Sequence, residues 1–170
     1  PDAYALTRAQ NAGIATSVCR AREYSSKGHF EQAMVATLLD HQVRWVALAG
    51  FMRLLSTEFL SAFPKQVLNI HPSLLPAFPG LNTHQRAIDA GVRFGGCTVH
   101  YVRPEMDNGP IIVQAAVAIL PDDDADQLAT RVLEAEHICF PHALRLIAEN
   151  RTRVRGEGVE RGGVGGGVFF

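Results

Sequence analysis

The stretch Val67-Leu68-Asn69-Ile70-His71-Pro72-Ser73-Leu74-Leu75-Pro76 constrains the fold most tightly, because an apolar run ends in a turn punctuated by two prolines. Side chains alternate across a strand, so Asn69 and His71 leave Gln66–Ile70 and its end on one face. The prolines then forbid the strand from continuing. Upstream, Ser25 or Ser26 is placed to cap a helix carrying Phe30, Met34 and Leu38 at four-residue spacing. Arg44–Ala49 reads as a buried strand, and Ser56 with Glu58 starts a short helix through Phe59 and Leu60. Two apolar strands separated by a helix are the pattern of a right-handed parallel crossover. Asn82 or Thr83 begins a further helix that Gly91 ends. Cys97–Val102 and Ile111–Ile119 read as two strands joined by a short turn at Asp107, hence antiparallel. After Asp122-Asp123-Asp124, the residues Leu128, Val132, Ala135 and Cys139 mark the inner stripe of a long helix, which Pro141 is expected to kink or break. The class is therefore α/β: a Rossmann-like, mostly parallel sheet flanked by helices, with an antiparallel C-terminal part.

Composition narrows the partners. The chain has 170 residues, 47% of them hydrophobic, enough to bury one core. Its net charge of −1 argues against a nucleic-acid partner. The apolar run Ile111–Leu120 is interrupted by Gln114 and too short to cross a bilayer, so no membrane partner is expected. Cys19, Cys97 and Cys139 are odd in number and widely spaced, and read as reduced packing residues of a cytoplasmic protein.

Asn69, His71 and Asp107 all fall at strand ends, an amide, an imidazole and a carboxylate suited to acyl transfer. The amide and ring N–H groups can donate to an oxygen that gains negative charge, and a nearby carboxylate favours imidazolium over neutral imidazole. The seven histidines are scattered, without HExxH or paired-cysteine spacing, so no metal is expected. His84 and His100 read as structural, His84 in a loop that moves over the site. Ser73 lacks a glycine elbow, which disfavours a serine hydrolase.

Asn-Ile-His-Pro-Ser-Leu-Leu-Pro, with the downstream Met106-Asp107-Asn108-Gly109-Pro110-Ile111-Ile112, resembles the signature of the formyltransferases that use 10-formyltetrahydrofolate. Ala49–Ser56 resembles the folate-pocket motif of their phosphoribosylglycinamide formyltransferase branch, and Phe78–His84 its mobile loop. The resemblance runs from about Asp2 to about Asn150. It implies transfer of a formyl group from 10-formyltetrahydrofolate, as co-substrate, to the amine of phosphoribosylglycinamide in purine biosynthesis. A sister formyltransferase or deformylase, or an impaired folate-binding fragment, is the alternative. It also implies Asn69, His71 and Asp107 as the catalytic set. Met52, Arg53, Leu54 and Leu55 would line the pterin pocket, with Asn69, and Arg103, Pro104, Glu105, Met106 and Asp107 would close it. Lys27 would meet the folate, and Glu136 with Leu133 would meet the acceptor substrate. Leu133 departs from the polar residue usual at its position. The family opens with a strand and a glycine-rich phosphate loop that do not occur here, so an N-terminal truncation is expected. An apolar strand edge left uncovered by it would favour dimerisation, which puts a homodimer among the expected partners.

Residues 1–150 are accordingly expected to form the formyltransferase domain, incomplete at its N-terminus. Seven of the 15 glycines fall between Gly156 and Gly167. Such a stretch has little side-chain surface to offset its ordering entropy, so 151–170 is expected to be a peripheral strand at most, followed by a flexible tail.

Overall fold

A computed structural model describes residues 3–156 and 158–161. The central sheet has four strands in the order β1 (Val46–Leu48), β2 (Val67–His71), β3 (Phe94–Tyr101) and β4 (Ile111–Ala118). The expected crossover is present: β1 and β2 run parallel, joined through helix α3 (Thr57–Ala62). Ser56 caps α3, its hydroxyl accepting from the Phe59 N–H, and buried Phe59 pins the helix to the sheet.

The sheet is mixed, and its parallel share is smaller than expected. β2–β3 and β3–β4 are both antiparallel, leaving one parallel pairing among the described residues. Helix α4 (Thr83–Asp89) lies between β2 and β3 and returns the chain in the reverse direction. The β3–β4 register shifts between Val99 and His100, a bulge that re-aims the side chains beside it.

Helix α2 (Lys27–Asp40) starts at Ser26, whose hydroxyl accepts from the His29 N–H. Its Phe30 is buried, while Met34 and Leu38 pack on a small core of Val46, Leu55, Phe59, Phe63 and Val67. Helix α1 (Tyr4–Asn11), which the apolar spacing did not signal, buries no residue. Helix α5 (Ala125–Ala148) begins with a capping box between Asp124 and Gln127. Pro141 does not break it: Ala143, Leu146 and Ile147 continue the buried stripe of Leu128, Val132, Ala135 and Cys139, and that packing outweighs the lost backbone bond. Beyond α5, where one peripheral strand at most is expected, β5 (Thr152–Arg155) and β6 (Gly158–Arg161) form an antiparallel hairpin, backbone pairing taking the place of side-chain burial. The glycine-rich tail from residue 162 lies outside the described residues.

Candidate active site

The C-terminal end of β2 carries Asn69 and His71 into a turn that a buried polar network holds. Thr98 on β3 donates its hydroxyl to the Ser73 carbonyl (2.7 Å) and accepts from the Leu75 N–H (3.0 Å). Gln114 on β4 donates to the Leu75 carbonyl and to the Thr98 hydroxyl, at 2.9 and 3.0 Å. A loop fixed by side chains of both β3 and β4 gives the residues before it little freedom.

His71 is 5% exposed. Its Nε2 lies 3.0 Å from the Phe78 carbonyl, and its Nδ1 lies 3.4 Å from Asp107 Oδ1. Both ring nitrogens face oxygen acceptors. The other carboxylate oxygen of Asp107 accepts from the Gly80 N–H at 2.7 Å. One loop thus engages both groups, through a carbonyl and an N–H two residues apart. Asp107 has φ 47°, a left-handed conformation, and Gly109 follows at φ 145°, where a Cβ would overlap the Tyr101 carbonyl oxygen. The turn chemistry at Asp107 is what aims its carboxylate back toward β2.

A cavity of about 790 Å³ opens in front of these groups. One wall is the β1–α3 loop, including Phe51, Met52, Arg53 and Leu54, and the opposite wall comes from α5 through Val132, Leu133 and Glu136. Asn69, His71, Met106 and Asp107 also line the cavity, as do residues 80–84. The volume and the apolar walls suit a ring system of drug size, held by a few convergent polar groups. Burial pushes the Glu136 carboxyl upward, and lowers the His84 imidazole with a smaller contribution from His71. No cluster of metal-ligating side chains occurs among the described residues.

Several expected binding residues fall elsewhere. Leu55 is buried in the α2–α3 core and backs the loop instead of lining the cavity. Lys27, Arg103, Pro104 and Glu105 are not part of the lining. Lys27 lies 3.7 Å from Glu31 across one helical turn, and Arg103 donates to the Gly156 carbonyl. Pro104 and Glu105 are exposed in the β3–β4 turn. Arg53 lines the cavity while its guanidinium lies over the Phe30 ring at 5.8 Å, tying the loop to α2. His84 belongs to the first turn of α4, not to a loop. Apolar spacing alone gives no signal for Ile70 and Val132 as cavity residues, because it marks them as core, and Ala129 lies off the marked stripe.

The fold and site together define an α/β protein in which an amide, an imidazole and a carboxylate converge beside a cavity of about 790 Å³. The comparisons narrow this. The formyl transferase family model matches residues 1–144, and the chain belongs to that family. It is 39% identical to the phosphoribosylglycinamide formyltransferase of Escherichia coli (strain K12) over 90% of this chain and 72% of that protein. It is also 46% identical to the trifunctional purine biosynthetic protein adenosine-3 of Gallus gallus, over 88% of this chain but 15% of that longer protein. The crystal structure of glycinamide ribonucleotide transformylase 1 from Symbiobacterium toebii superposes with a TM-score of 0.92 at 45% identity, covering 95% of this chain and 76% of that one.

Proposed function

We propose that this chain transfers the formyl group of 10-formyltetrahydrofolate to the amine of phosphoribosylglycinamide. The observation that carries the reading is the His71–Asp107 pair, which lines the cavity together with Asn69. Attack of the amine on the formyl carbon makes a tetrahedral centre whose oxygen is negative. The Asn69 amide and a His71 ring N–H donate to that oxygen, and a preorganised donor of this kind contributes about 3–4 kcal/mol in the transition state. The Nε2–H engaged by the Phe78 carbonyl is the donor that the substrate oxygen takes over. Asp107 holds the ring through Nδ1 and accepts the proton that the attacking amine sheds, for delivery to the departing folate nitrogen. Met52, Arg53 and Leu54 meet the folate ring, with Met106 opposite. Leu133 and Glu136 face the acceptor substrate, where Glu136 receives a hydrogen bond from the amine.

The test mixes the chain with formyl-folate and phosphoribosylglycinamide and follows loss of the formyl group. Turnover is expected, and His71→Ala should lower kcat about 10²–10³-fold. An unaltered rate in His71→Ala would overturn the assignment.

A further inference from the structure

We infer that His100 is a positioning residue for Asn69, a role that rests on the formyl-transfer reading and deepens it. The two residues sit directly opposite in the antiparallel β2–β3 pairing, and Asn69 Nδ2 lies 3.3 Å from His100 Nε2. His100 is 2% exposed and sits at the β3–β4 bulge, where a re-aimed side chain is expected. Its Nδ1 lies 3.0 Å from the Tyr101 carbonyl oxygen, which can only accept. Nδ1 therefore carries the hydrogen, and in the neutral ring Nε2 has a lone pair. A lone pair selects a donor, so it selects the Nδ2 side of the Asn69 amide over Oδ1. The carboxamide is thereby held in one of its two flip states, with Oδ1 kept from the position opposite Nε2.

Protonation of His100 reverses this selection. With hydrogen on both ring nitrogens, Nε2–H opposes the amide N–H and favours the flip that brings Oδ1 to the ring. That flip moves the amide donor away from the place it held. Burial is the largest influence on the ring and favours its neutral form. Among the described residues, the charged and titratable groups that act on it are Asp107, which favours the imidazolium, and His71, which opposes it. The bond to the Tyr101 carbonyl also favours protonation, less strongly than burial opposes it.

Three variants and one spectrum test this. His100→Gln can place a non-titrating acceptor opposite Asn69, whereas His100→Leu cannot. His100→Leu should lose at least about tenfold in kcat, up to the loss seen on removing a preorganised donor, with little change in KM for formyl-folate. His100→Gln should recover most of that kcat and shift the acid limb of the kcat profile to lower pH. Asn69→Ala should make the His100→Leu change nearly silent, since the two act through one amide. In the unaltered chain, long-range proton–nitrogen NMR should show the Nδ1–H tautomer of His100, independent of turnover. A His100 ring protonated on Nε2 alone would overturn the proposal, as would equal rates and acid limbs in the unaltered chain and both His100 variants. If the unaltered chain shows the Nδ1–H tautomer but no turnover, the formyl-transfer reading fails while the side-chain pairing stands.

Discussion

The two sides of this molecule are packed unequally, and the site spans the difference. Among the described residues, strands β2–β4 with α4 and α5 build a core of 16 buried residues, whereas the core under α2 and α3 has five. Asn69, His71 and Asp107, the proposed catalytic set, come from β2 and from the β3–β4 turn, on strands fixed by the larger core. The cavity's other wall, the β1–α3 loop, hangs from the smaller one, with Met52 80% and Leu54 48% exposed. Under the proposed function, the groups that need sub-ångström placement sit on the dense half, and those proposed to meet the folate ring sit on the sparse one.

The sharpest way to break this contrast is to hollow the dense half. Leu128→Ala removes a side chain that is 1% exposed, and should cost about 2–5 kcal/mol, read as a fall in the urea midpoint. A smaller loss would mean that α5 is less tightly held than its burial implies. Gly109→Ala comes next, because its Cβ would overlap the Tyr101 carbonyl. We expect about 1–3 kcal/mol of destabilisation, together with a kcat loss as Asp107 moves away from His71. Unchanged kcat would show that the turn does not set the carboxylate. On the sparse half, Leu54→Ala should change stability by no more than about 0.5 kcal/mol, while raising KM for formyl-folate several-fold. A stability loss as large as that of Leu128→Ala would erase the distinction between the two walls.

Much of this architecture is legible in the residues themselves. The caps at Ser26 and Ser56, the β1–α3–β2 crossover and the Asp107 turn follow from local chemistry, and the strand period alone puts Asn69 and His71 on one face. The rest depends on long-range packing. Pro141 reads as a breaker because its cost is local, whereas the stripe of Ala143, Leu146 and Ile147 that sustains α5 acts only against the sheet. Leu55 and Leu54 are adjacent and chemically identical, yet one enters the core and the other the cavity wall, a division set by the loop's path. The pairing of His100 with Asn69 requires the β2–β3 register, which no spacing within either segment supplies.

The smallest predicted effect separates the halves by pH. Asp123 precedes α5 and accepts from both terminal nitrogens of Arg131, at 2.7 and 2.9 Å, and from the Leu120 N–H at 2.7 Å. The Arg131 hydrogen bonds, then the Leu120 N–H, lower its carboxyl to about 2, below the ~3.9 of an unfolded aspartate. A carboxyl depressed on folding stabilises fully above its unfolded value and loses that contribution as pH falls through its folded value. Asp123→Asn should therefore unfold at lower urea than the unaltered chain at pH 7, with the gap closing as pH falls from about 4 toward 2. Glu23, paired with Arg20 at 2.9 Å on an exposed turn of the sparse half, supplies the control. Glu23→Gln should leave the midpoint unchanged at either pH, because an exposed single pair is screened by water and salt. A pH-dependent gap in Glu23→Gln, or its absence in Asp123→Asn, would mean that fixed ion pairs do not follow the packing of the two halves.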